Sequence, residues 1–216
     1  MLIHYFFYLG INWNWKISFL ILSLEIKGEK KYGISTTGID SLKKLKARGI
    51  DISHATMYMP VSYHLLDNIF RQLSSGKKHF LDIGCGKGRA LCVAAFEGYE
   101  KVTGIDFSND LCIQAEKNLR SVKLKFPNLV YSIENIRAEH YAVPADADCI
   151  FLFNPFDEDV MKLVLENICR SLIATPRSLQ VIYVNPLYKQ LFTDKGFKEL
   201  YHFKSMTYFE ISLMNI

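Results

Sequence analysis

The chain has 216 residues, 26 Lys and Arg against 22 Asp and Glu, half of its residues apolar and 13% aromatic. This balance excludes a disordered tail, a collagen-like repeat and a disulfide scaffold, and roughly 70% of the extended-chain surface can be buried at such a length. The net charge of +4 is mild and its basic clusters, Lys43 to Arg48 and Lys117 to Lys125, are short and broken by apolar residues, so solvated faces are expected rather than a nucleic-acid groove.

Residues 1–24 (MLIHYFFYLGINWNWKISFLILSL) are apolar, but Asn12, Asn14 and Lys16 interrupt them and no small-residue cleavage site follows. A bilayer span is not expected; a helix that packs on the domain or touches a membrane peripherally is. Trp13 and Trp15 suit either setting. Residues 25–57 are polar and Gly-dotted, with a charged run at Glu29 to Lys31 and a turn signal at Thr36 to Gly38. They read as a connector with one short helix around Ser41 to Arg48. The division expected is an extension over 1–35 and one catalytic domain over 36–216.

From Pro60, apolar residues at Val61, Leu65, Leu66, Ile69, Phe70 and Leu73 repeat at helical spacing, with Pro60 suited to the first turn and a stop near Ser74 to Gly76. Beyond it, strands are predicted near 79–84, 101–106, 128–134, 148–153, 178–184, 197–204 and 206–213, and helices near 87–97, 108–122 and 157–173. Strand and helix alternation implies an α/β sandwich of a mostly parallel seven-stranded sheet between helical layers. The last two strands are too close in sequence for a crossover and must form an antiparallel hairpin. The five cysteines form no C-x-x-C pair and have no His at zinc-ligand spacing. Reduced thiols packed as small hydrophobes, a cytoplasmic location and no metal are therefore expected.

The sharpest motif is HFLDIGCGKGRAL, His79 to Leu91, in which a buried strand runs into Gly84, Gly86 and Gly88 and then into a helix. Glycine lets this backbone turn sharply and approach a ligand. A dinucleotide fingerprint needs a glycine at position 89, where this chain has Arg89, and no Walker loop occurs. The remaining pattern, Asp82-x-Gly84-Cys85-Gly86-x-Gly88, resembles the class I methyltransferases that use S-adenosylmethionine (SAM). The resemblance implies a Rossmann-like fold, a loop that wraps the amino-acid end of the cofactor, and a strand acid, Asp82, that helps hold its ammonium. The next strand ends at Asp106, 22 residues after Gly84, near the spacing at which such an acid meets a ribose. Asp106 is the expected ribose ligand and Phe107 the ring against the adenine; the alternative is that Asp106 or Ser108 caps the following helix and Phe107 lies in the core. Where the family resemblance implies an Asp or Asn after the third strand for the adenine amine, this chain has Arg137, with Asn135, Glu139 or a backbone group as substitutes.

On the acceptor side, Asn154-Pro155-Phe156 is similar to the (Asn/Asp)-Pro-Pro-aromatic motif of methyltransferases that modify planar amines, but it has one proline. Asn154 is the expected acceptor contact. The order Tyr58-Met59-Pro60, helix, glycine loop is similar to that of class I protein-lysine methyltransferases, which makes Tyr58 the expected lid residue. His140, Asp157 and Tyr58 are the candidate bases. The function expected is methyl transfer from SAM to an unidentified acceptor, with an amine or protein lysine as the narrower reading and a non-catalytic, membrane-associated SAM-binding module as the rival.

Overall fold

The computed structural model describes residues 15–38, 59–73, 78–154, 156–205 and 209–216. Five apolar runs become parallel strands: β1 (His79–Ile83), β2 (Lys101–Asp106), β3 (Val130–Asn135), β4 (Cys149–Phe153) and β5 (Gln180–Val184). Along β1 every residue is buried, as a strand covered on both faces requires. The chain ends in β6 (Lys198–Ser205) and β7 (Phe209–Asn215), and β7 inserts antiparallel between β5 and β6. The sheet order is β3-β2-β1-β4-β5-β7-β6, the mostly parallel sheet with an antiparallel C-terminal pair that the strand spacing predicts.

Helices cover both faces. On one lie α1 (Trp15–Tyr32), α2 (Tyr63–Gln72), α3 (Arg89–Phe96) and α4 (Asn109–Lys123), whose apolar residues share a core with Phe80 and Val102. On the other lie α5 (Glu158–Ala174) and the short α6 (Lys189–Asp194), packed on Leu81, Ile83 and Ile105. Alternate residues of β1, Phe80 against Leu81, thus feed opposite cores.

The sequence reading and the structure differ in three places. Residues 25–32 belong to α1 rather than to a connector, because Glu25, Gly28 and Tyr32 form a buried helix face against α2 and α3. Burial of that face offsets the poor helix propensity of Gly28. Helix α2 starts at Tyr63, with the Ser62 hydroxyl accepting the Leu65 amide at 3.2 Å, so Pro60 precedes the helix instead of opening it. The six residues of α6 are too few to show a period. The helix expected around Ser41 to Arg48 lies outside the described residues, as do Trp13 and Tyr58. No helix among the described residues is long and apolar enough to cross a membrane.

Candidate active site

Strands β1 and β2 end side by side, Asp82 opposite Gly104 and Ile83 opposite Ile105, so the loop after β1 closes directly over the end of β2. Gly84, Gly86 and Gly88 all have positive φ, at 85°, 54° and 76°. At Gly88 an added Cβ would also stand 3.1 Å from that of Ala115, which fixes how closely α3 and α4 approach. Gly88 serves as the N-terminal boundary of α3.

Four of the loop amides are bonded within the protein. Gly84 and Cys85 both donate to the Ile105 carbonyl at 2.9 Å, Gly88 donates to the Cys85 carbonyl at 2.8 Å, and Gly86 donates to Asp106 Oδ2 at 2.9 Å. A phosphate cradle would instead turn these N–H groups toward its ligand. Buried at this turn are the carboxylates of Asp82 and Asp106, 3% and 6% exposed, with the cations of Lys87 and Arg89 buried beside them in the loop. Burial, with Asp106 adding to it, pushes the Asp82 carboxyl well above its usual range. Burial pushes Asp106 up to about 6, held from rising further by the amides of Ser108 and Gly86. Neither carboxylate is bonded to a cationic side chain among the described residues, and Asp82 has no hydrogen-bond partner there. Two buried carboxylates beside amides already spent suit a cationic, hydroxyl-bearing ligand and oppose an anionic one. The residues present thus fit the amino-acid and ribose ends of SAM.

Of the roles the sequence left open, the cap of α4 falls to Ser108 and not to Asp106. Asp106 Oδ1 accepts the Ser108 amide at 2.8 Å, while the Ser108 hydroxyl accepts from Leu111 at 3.5 Å. Two bonds leave a carboxylate about two further lone-pair sites. Phe107 is half-buried and belongs to neither core cluster, so its ring is not a core residue. Cys85 is buried, its thiol over the Gly86 carbonyl at 3.8 Å, and burial pushes it far from the thiolate range. Asn135, beside Asp106 in register, donates its amide to the Asp106 carbonyl at 2.9 Å. Arg137 and Glu139 pair with each other at 2.6 Å.

On the far side of β1, β4 ends at Phe153 in register with Val184 of β5, and the next residue of each strand is an asparagine in left-handed backbone: Asn154 at φ 36° and Asn185 at φ 50°. Each precedes a proline. Asparagine tolerates this region better than most residues, at a cost of order 1 kcal/mol or more. Asn185 also ties the start of β7 down, its amide donating to the Glu210 carbonyl at 2.7 Å and its Oδ1 accepting the Glu210 amide at 3.2 Å. This second asparagine was visible in the sequence only as a repeated Asn-Pro pair. Phe156 is 9% exposed and packed with Val160 and Met161, so the aromatic residue of this motif lies in the core. Asp157 is the N-cap of α5, accepting from Val160 at 3.1 Å, and His140 is exposed.

Residues 73–179 match the sequence profile of a methyltransferase domain family. Residues 73–179 thus carry a methyltransferase domain, for which SAM is the methyl donor. Among solved structures, magnesium protoporphyrin IX methyltransferase from Synechocystis, determined with bound SAM, is 15% identical, with a TM-score of 0.54 over 73% of this chain and 85% of that one. A SAM-dependent methyltransferase from Aquifex aeolicus is 16% identical, at 0.52 over 70% and 89%. A protein from Pyrococcus horikoshii is 15% identical, at 0.55 over 70% and 88%. At these identities the likeness is one of fold. No curated protein matches by sequence.

Proposed function

We propose that this methyltransferase holds SAM between the glycine loop and the end of β2, and that its acceptor enters where β4 and β5 end. The observation that carries the reading is the pair of buried carboxylates beside a loop whose Gly84, Cys85, Gly86 and Gly88 amides are already bonded. Asp82 balances the amino-acid ammonium, Asp106 accepts the ribose hydroxyls, Phe107 lies against the adenine, and the Asn135 carboxamide oxygen takes the adenine amine. Gly84, Cys85, Gly86 and Gly88 keep side chains out of the path.

Bound SAM supplies a sulfonium methyl carbon open to in-line displacement, so alignment in a dry site does most of the work. Asn154 is the residue that touches the acceptor, and its strained backbone supports that role. With Phe156 in the core, an amine or lysine acceptor would be held by the Asn154 oxygen without a stacking ring. The exposed Trp15, Phe19, Leu20 and Leu24 of α1 are the surface for peripheral contact of the 1–24 segment with a membrane, and the cytoplasm is the compartment that suits five unpaired thiols. Sedimentation with anionic vesicles tests the contact, and failure to pellet rejects it.

Incubation with methyl-labelled SAM and cell extract tests the enzymatic reading. Labelled product is expected, and Asn154→Gly, which removes the side chain and relieves the strain, should lower transfer about 100-fold with SAM affinity within twofold. Binding of SAM without labelled product in any fraction would instead indicate a non-catalytic binding module.

A further inference from the structure

We propose that α1 and the turn after it are part of the cofactor site, fastened by Arg89, so that SAM binding and docking of this N-terminal segment strengthen each other. The inference rests on the cofactor reading above. Arg89 is the first residue of α3, next to Gly88, and is 3% exposed. Its Nε donates to the Thr36 hydroxyl at 2.7 Å, Nη1 to Glu25 Oε1 at 3.1 Å and to the Val61 carbonyl at 2.8 Å, and Nη2 to Glu25 Oε2 at 2.5 Å. The guanidinium lies 4.0 Å from the centre of the Tyr63 ring. Glu29 accepts the amides of Thr36 and Thr37, each at 2.6 Å, and the Thr37 hydroxyl donates to Glu25 at 3.0 Å. One arginine therefore bonds α1, the turn after it and the segment leading into α2.

A second clamp lies on the other side of Gly88. Asn118 of α4 accepts the Ser35 amide at 3.0 Å and donates to the carbonyls of Ser35 at 3.2 Å and Lys87 at 2.9 Å. Lys87 and Arg89, the two neighbours of Gly88, are thus both linked to residues 35–37. A buried ion pair adds little net stability, since desolvation consumes most of its attraction, but it fixes orientation strongly. Here the orientation fixed is that of the loop and the first turn of α3. Anything that holds the loop in its bound shape holds the same partners of α1, and the coupling is reciprocal. Arg89 and Glu25 act as positioning residues.

Gly28 offers a way to break the docking without substituting any of the groups that hydrogen-bond to Arg89. A Cβ there would stand 2.1 Å from Tyr63 Cδ2, so Gly28→Ala wedges α1 away from α2 while favouring its helix. The test is amide hydrogen exchange of the full chain with and without S-adenosylhomocysteine, together with calorimetric Kd values for that ligand. Expected are slower exchange over both 84–88 and 29–38 on ligand binding, a Kd raised about tenfold by Gly28→Ala and by Thr36→Val, and a Kd restored in Thr36→Ser, which keeps the hydroxyl. Protection confined to 84–88, or unchanged affinity in Gly28→Ala, would overturn the coupling and leave the cofactor reading standing. No binding by the unmodified protein would overturn both.

Discussion

At the N-terminal ends of β1 and β2 the buried His79 has both ring nitrogens engaged, Nδ1 with Asp146 and Nε2 with the Thr103 hydroxyl, each at 2.9 Å. Thr103 passes on to Ser132 at 3.1 Å, and Lys101 closes on Asp146 at 2.9 Å. Three residues further along the same two strands, Asp82 and Asp106 are as deeply buried, yet only backbone amides meet Asp106 and nothing among the described residues meets Asp82. One cluster is closed upon itself; the other is left with charge to be matched from outside. Buried polarity alone therefore does not mark a site, whereas buried polarity with lone pairs unspent does.

Substitutions at the two clusters should separate cleanly. Asp106→Ala removes a charged acceptor of ribose hydroxyls, and SAM affinity should fall about 30- to 100-fold, read by calorimetry; an unchanged Kd would remove Asp106 from the site. The pH dependence follows from the sign of its shift. A folded-state value raised to about 6 means that the protonated form suits the ligand-free fold, and its stabilising effect is lost as pH rises through 6. SAM calls for the ionised form, so affinity should rise about tenfold from pH 5 to pH 7, and Asp106→Asn should flatten the rise. Asp82→Asn should weaken SAM several-fold, because a neutral amide cannot ionise to match the ammonium, while leaving the melting temperature about level. His79→Leu should do the reverse: stability drops by about 1–3 kcal/mol, seen as a lower melting temperature, with the SAM Kd unmoved. If His79→Leu and Asp82→Asn behaved alike, the contrast between closed and open clusters would be wrong.

What could be read in the sequence is what is local in the chain. Asp82, the glycines and Asp106 lie within one strand, turn, helix and strand, so spacing alone brings them together. The Arg89 cluster could not be read this way: its partners Glu25 and Thr36 are 64 and 53 residues away, and by itself Arg89 only breaks a dinucleotide fingerprint. Glu25 and Glu29 made residues 25–32 look like a solvated connector, because composition cannot tell a charge that is exposed from one that is buried against an arginine. The acceptor side was legible in part. Asn154 sits where the end of β4 was expected, but the fate of Phe156 depended on how α5 packs, which no local pattern records.

The central claim is that Asp106 ionises to receive SAM, and proton release on binding measures it. Calorimetric titration with SAM at pH 6, run in two buffers of different ionisation enthalpy, should report release of about half a proton or more per SAM bound, falling toward zero above pH 7.5. Binding with no proton released at pH 6, or with protons taken up, would contradict the account.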